Sequence, residues 1–236
     1  MLLEVCVEDI PGLKAAVEGG GDRIELCSAL PLGGLTPSAG LMATAAKISI
    51  PAYAIIRPRA GSFVYSADEL DVMKRDIDAA RAAGLPGVVL GASLPDGRLD
   101  LDALTILTAQ AEGLGKTLHR AFDLVPDVEE AVHVAISLGF ERILTSGGAR
   151  TAAEGVAMLE QAIAAAAGRI SIMPGSGVTL ATVGQLWPRL QISEIHASCS
   201  ATTSETDERL IALGFSPPSA RRTDAATVRA LKAYFA

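Results

Sequence analysis

Aromatic side chains are scarce, at 4% of the 236 residues, although apolar residues make up half of the chain. The core must therefore be aliphatic, and a chain of this length can bury one large core in preference to two small ones. Cysteine is almost missing as well. Cys6, Cys27 and Cys199 form neither a disulfide framework nor a C-x-x-C motif, so reduced thiols are expected. Positive charge is in deficit, with 20 Lys and Arg against 27 Asp and Glu and a formal charge of −7. That balance argues against nucleic acid or an anionic membrane as partner, and any anionic ligand needs a local site. No apolar run approaches the length that spans a bilayer, and the opening M-L-L-E-V-C-V carries an acid where a secretory signal needs a basic region. A cytoplasmic protein is expected. No linker or low-complexity stretch divides residues 1–236, which are expected to form a single domain.

What the chain does have is a repeated unit. Short β-type segments at about 2–7, 23–28, 51–58, 87–92, 116–122, 142–147, 170–174 and 194–198 alternate with segments of helical periodicity. The stripes Leu70, Met73, Ile77, Ala80 and Val156, Leu159, Ile163, Ala166 each follow the spacing of one helix face. Ser38, Asp68 and Asp127 are candidate helix starts, and Gly84, Gly139 and Gly168 candidate stops. Eight such α/β units predict a (β/α)8 TIM barrel, a closed sheet of eight parallel strands. A doubly wound open sheet is the alternative, but no G-x-G-x-x-G follows the first strand. The rhythm loosens at 57–67 and 201–222, which read as long loops on the functional face.

Polar residues gather at the strand ends, where barrel enzymes place their chemistry. L-E-V-C at 3–6 and I-E-L-C at 24–27 set a glutamate and a cysteine two residues apart on consecutive strands, so Glu4, Cys6, Glu25 and Cys27 should face inward. Buried carboxylates need partners, and Arg57, Arg59 and the histidines are the candidates. In K-T-L-H-R-A-F-D at 116–123, His119 is a candidate general acid/base with Glu4 or Glu25 beside it, and Asp123 either joins it or braces the following loop. His196 and Ser198 share the inward parity of the last strand. A purely structural buried ion network is the plainer reading of the same residues.

Two glycine-rich loops, T-S-G-G-A-R and P-G-S-G-V-T, each end a strand before a helix. Their backbone N–H groups suit an anion, which makes Ser146, Gly147, Gly148, Gly175, Ser176 and Gly177 a candidate clamp with Arg57, Arg59 and Ser198. Tight turns that need glycine are the competing explanation. Cys6 and Cys27, on neighbouring strands, could hold a soft ion such as Cu(I), or simply pack as small hydrophobes. Cys199 has the opposite parity to His196 and Ser198 and is a poor third ligand. No organic cofactor is expected.

Taken together, L-E-V-C-V, D-R-I-E-L-C-S, G-G-L-T-P-S, I-R-P-R with Gly61 and F-V-Y-S, H-R-A-F-D, R-I-L-T-S-G-G and I-M-P-G resemble the CutC family of copper-homeostasis proteins over nearly the whole chain. The resemblance implies a TIM barrel, a cytoplasmic location, homo-oligomerisation, and copper bound by Cys6 and Cys27. Departures come late: Ser176 stands where the family usually has a glycine, the H-x-S-A pattern reads His196-Ala197-Ser198-Cys199, and 201–222 looks shorter than usual. An alternative function is a barrel enzyme that acts on a small phosphorylated or carboxylated molecule with His119 as acid/base.

Overall fold

The structure is a computed structural model that describes residues 1–235. Its order is β1 Leu2–Val7, α1 Ile10–Glu18, β2 Arg23–Leu26, α2 Ala39–Ala45, β3 Ala52–Ile55, α3 Ala67–Ala83 and β4 Gly87–Leu90. There follow α4 Leu101–Gln110, β5 Gly115–Leu118, α5 Val128–Ser137, β6 Arg142–Thr145, α6 Val156–Ala166, β7 Ser171–Pro174 and β8 Glu194–Ala197. All eight strands are parallel; from β1 to β7 each pairs with the next in sequence, and β1 also pairs with β8. β7 and β8 lie side by side without a hydrogen-bonded ladder, so the sheet is a nearly closed TIM barrel.

The helices form where apolar stripes and caps coincide. Met73, Ile77 and Ala80 bury one face of α3, whose start is fixed by a capping box of Ser66 and Glu69, two residues ahead of the expected Asp68. Ser38 and Asp127 cap α2 and α5 as expected. Between β7 and β8 there is only a 3₁₀ turn, Val183–Gln185, in place of a full helix. Most strands stop one to three residues short of the expected ends, because the chain leaves the ladder there to build the mouth. The largest difference is at β5, which stops at Leu118; residues Arg120–Leu124 form a 3₁₀ turn with His119 at its head.

Inward positions alternate with helix-facing ones as the parity reading requires. Leu3, Val5, Ile24 and Leu26 join the aliphatic core under the helices. Glu4, Cys6, Arg23, Glu25 and Tyr53 take the interior. The lower half of the barrel is a plug of charge and ring: Arg23 and Arg142 lie over Tyr53, Glu194 accepts from both arginines, and Tyr53 Oη lies 3.1 Å from Glu141.

After β8 the chain does not remain a loop. β9 Ser200–Ser204 and β10 Ser219–Thr223 pair antiparallel as a ribbon around the short α7 Glu208–Ala212, with Leu213 and Phe215 exposed at its tip. α8 Ala225–Ala233 then packs on α1. Among the described residues no helix is long and apolar enough to cross a membrane.

Candidate functional site

The register of β1 on its two neighbours builds the site. Glu4 sits opposite both Arg23 of β2 and His196 of β8, and Cys6 sits opposite Glu25. The two E-x-C pairs are thus staggered by two residues: the first cysteine meets the second glutamate, and Cys27 lies one step beyond. Glu4, fully buried, accepts from Arg23 and lies 2.9 Å from His196 Nδ1. Burial alone would raise its pKa, but His196 and Arg23 outweigh that and hold the carboxyl at about 2.

The other face of the His196 ring looks towards Cys6 and Glu25. Nε2 is 3.7 Å from Glu25 Oε2, and the ligand atoms of Cys6, Glu25 and His196 lie within 4.8 Å of one another. Burial works against a charged imidazole here, yet Cys6, Glu4 and Glu25 overcome it and raise the His196 pKa well above the ordinary value. Burial and the nearby Glu4 push Glu25 upward as well. Cys27 is fully buried, with Sγ 3.6 Å from Glu25 Oε2, and burial followed by the Glu25 charge drives its thiol well above the usual range. The third cysteine, Cys199, lies in the aliphatic core away from the interior, as its parity requires.

His119 differs from the expectation. The two glutamates belong to His196; His119 lies instead against Phe63, with ring centroids 4.8 Å apart. Its Nδ1 accepts from the Ala121 N–H at 3.2 Å, and its Nε2 is buried without a partner. Burial and the Arg57 charge depress its pKa to about 3. Near neutral pH such a ring is an uncharged imidazole.

The arginines are placed unlike the expected clamp. Arg59 reaches away to Glu69 and to the carbonyls of Ser62 and Val64. Arg57 does border the mouth, with its guanidinium 5.0 Å over Phe63 and hydrogen bonds to the carbonyls of Leu32, Gly34 and Gly61. Neither one partners the interior glutamates; Arg23, not singled out from the sequence, does so. Its signal was its position at the first inward site of β2.

The T-S-G-G loop does hold an anion, and the anion is the protein's own. The Asp123 carboxylate accepts from the Thr145 hydroxyl at 2.5 Å, from the Ser146 N–H at 2.9 Å and from the Gly148 N–H at 3.2 Å, while Arg120 pairs with it at 2.6 Å. Gly147 and Gly148, at φ 70° and 67°, adopt the left-handed backbone that lets the loop wrap this carboxylate. In the second loop the Gly175 N–H bonds the Thr145 carbonyl and the Ser176 hydroxyl bonds that of Arg150. Ser176 has φ 74°, a conformation in which glycine is free of strain. Gly177 lies over Thr151, and Ser198 bonds Ser200 2.9 Å away, outside the main mouth.

A cavity of about 240 Å³ occupies the mouth. Cys6, Glu25 and His196 form one wall, and Arg57, Phe63 and His119 another; Arg120 and Ser176 also border it.

The family model for the CutC family matches residues 1–201, that is, the barrel without most of the ribbon or α8. A family protein CutC of Sinorhizobium medicae (strain WSM419) is 65% identical over 233 residues, 99% of this chain and 95% of that protein. The crystal structure of a chain named copper homeostasis protein CutC from Streptococcus agalactiae superposes with a TM-score of 0.80 at 31% identity, covering 84% of this chain and 98% of that one. An aldolase, QR15, superposes at 0.62 with 14% identity over 83% of this chain and 89% of that one, a likeness of fold alone. Sequence and architecture thus converge, and the chain belongs to the CutC family.

Proposed function

We propose that this chain acts in copper homeostasis by binding copper, as Cu(I), at the barrel mouth. The observation that carries this reading is the convergence of Cys6, Glu25 and His196 within 4.8 Å of one another on a cavity wall. Thiolate and imidazole are ligands that Cu(I) accepts, whereas a carboxylate suits harder ions. Cys6 and His196 therefore make the leading pair, the metal displacing the proton that the acidic wall holds on the ring, and Glu25 supplies compensating charge. Cys27 is the second thiol of the site, with the Glu25 carboxylate beside it. The name of the streptococcal relative supports the copper assignment. A reducing, cytoplasmic setting belongs to this reading, since all three cysteines are free and the two inward thiols must stay reduced. Assembly with further copies of the chain, implied by the resemblance, belongs to it as well.

The test is an anaerobic Cu(I) competition titration of the wild type, Cys6→Ser, Cys27→Ser and His196→Gln, with circular dichroism as the folding check. Losing a direct ligand exceeds the effect of losing an outer partner, so Cys6→Ser should weaken binding by about 100-fold or more and Cys27→Ser by roughly 10-fold. Copper affinity indifferent to both cysteines would overturn the assignment.

A further inference from the structure

Arg57 is a buried cation without a counter-ion. The residue is only 6% exposed, its three side-chain hydrogen bonds end on backbone carbonyls, and no carboxylate pairs with it among the described residues. Carbonyl dipoles and the Phe63 ring soften that isolation but do not cancel a full charge, and a buried guanidinium is costly until an anion meets it. The Arg57 Nε–H is buried and bonds to nothing.

Across Phe63 stands a second unsatisfied donor. His119 is 3% exposed, and its Nδ1 accepts the Ala121 N–H, so in the neutral ring the proton sits on Nε2. That Nε2–H has no partner. Gly91 holds the ring in place: a Cβ there would lie 2.5 Å from the imidazole. Arg57 and His119 border the same cavity, and Asp123, an acid near His119, is already held by its own loop.

We propose that the mouth cavity binds a small oxyanion, a carboxylate or a phosphate group, received by Arg57 and by the Nε2–H of His119. The charge of the guest supplies what Arg57 lacks, and its oxygen lone pairs satisfy both N–H groups. A volume of about 240 Å³ limits the guest to a few heavy atoms beyond the anionic group. Its remaining atoms face Cys6, Glu25 and His196. Arg57 and His119 stand just beyond the ends of β3 and β5, with Ser176 of the second glycine loop on the rim of the same cavity, and the site does not depend on the copper reading.

Inorganic phosphate and acetate are the probes, titrated separately into the metal-free protein. Binding is followed through the His119 ring nitrogens in long-range ¹H–¹⁵N spectra and through thermal unfolding. Saturable shifts at His119 with a rise in Tm are expected, and the probe that saturates first identifies the class of guest. Arg57→Gln should weaken binding about 10- to 100-fold, the range for a hydrogen bond to a charged group. His119→Phe, which keeps a ring over Gly91, should weaken it less, and keeps the test open if Arg57→Gln fails to fold. A wild type that shows no saturable response to either anion would overturn the proposal, as would a response that both variants retain. Neither outcome bears on copper affinity, which the Cu(I) titration measures separately.

Discussion

His119, just past the end of β5, and His196 of β8 border the same cavity and are almost equally buried, yet their surroundings oppose each other. His196 stands among Glu4, Glu25 and Cys6, and its pKa rises well above the ordinary value in spite of burial. His119 stands beside Arg57, and burial and that charge together carry it to about 3. Burial disfavours the charged form in both; the sign of the nearest charge decides which ring keeps a proton. One wall of the mouth gathers negative charge around its ring, and the other sets a positive charge beside its ring.

The severest way to break the contrast is to remove the arginine beneath the acidic wall. Arg23→Met leaves Glu4 and Glu194 buried without their shared partner, and such a loss costs about 3–5 kcal/mol. Denaturant unfolding at neutral pH measures it. His196 should keep its elevated pKa, because Glu4 remains beside it and a neighbouring positive charge has gone.

A smaller effect separates the histidines by pH. The folded pKa of His119 is depressed, so the unfolded chain takes up a proton that the folded one refuses between pH 6.5 and about 3, and stability falls on acidification through that window. Glu4, lowered to about 2, loses its contribution only below 4.5. The raised His196 contributes fully below 6.5 and loses its contribution as pH climbs through its folded value. Glu25, raised, acts in the opposite sense to His119 in the same range, so the measurement is the difference between wild type and His119→Phe. Between pH 6.5 and about 5 that difference should amount to roughly 1.5–2 kcal/mol, with the variant the less acid-sensitive. Equal slopes would mean that His119 titrates normally.

The smallest effect lies at the loop that carries its own anion. Asp123→Asn keeps an acceptor for the Ser146 and Gly148 N–H groups but removes the charge that pairs with Arg120, at a cost of about 1 kcal/mol. Calorimetric unfolding would read it. A gain in stability would argue that the loop is better off with an external guest.

Much of this was legible in advance. Parity correctly sent Glu4, Cys6, Glu25 and Cys27 inward, and the alternation of units described the barrel, because both depend on local periodicity. Pairing across the barrel was not legible. Glu4 meets His196 because β1 closes against β8, a contact between the two ends of the barrel that sequence order hides. The two-residue stagger set Cys6 against Glu25 although the E-x-C repeats look equivalent. The glycine loops announced an anion, but spacing could not tell that Asp123, at the end of a 3₁₀ turn read as strand, would fill one of them.

The plug formed by Tyr53, Arg23, Arg142 and Glu194 has a consequence for traffic. With its lower half filled, the barrel is a cul-de-sac, so whatever enters the mouth departs by the same door. On the two proposals above, a metal on the Cys6 wall and an anion on the Arg57 wall would share that door. A barrel filled from below in this way offers no through-passage from one end to the other.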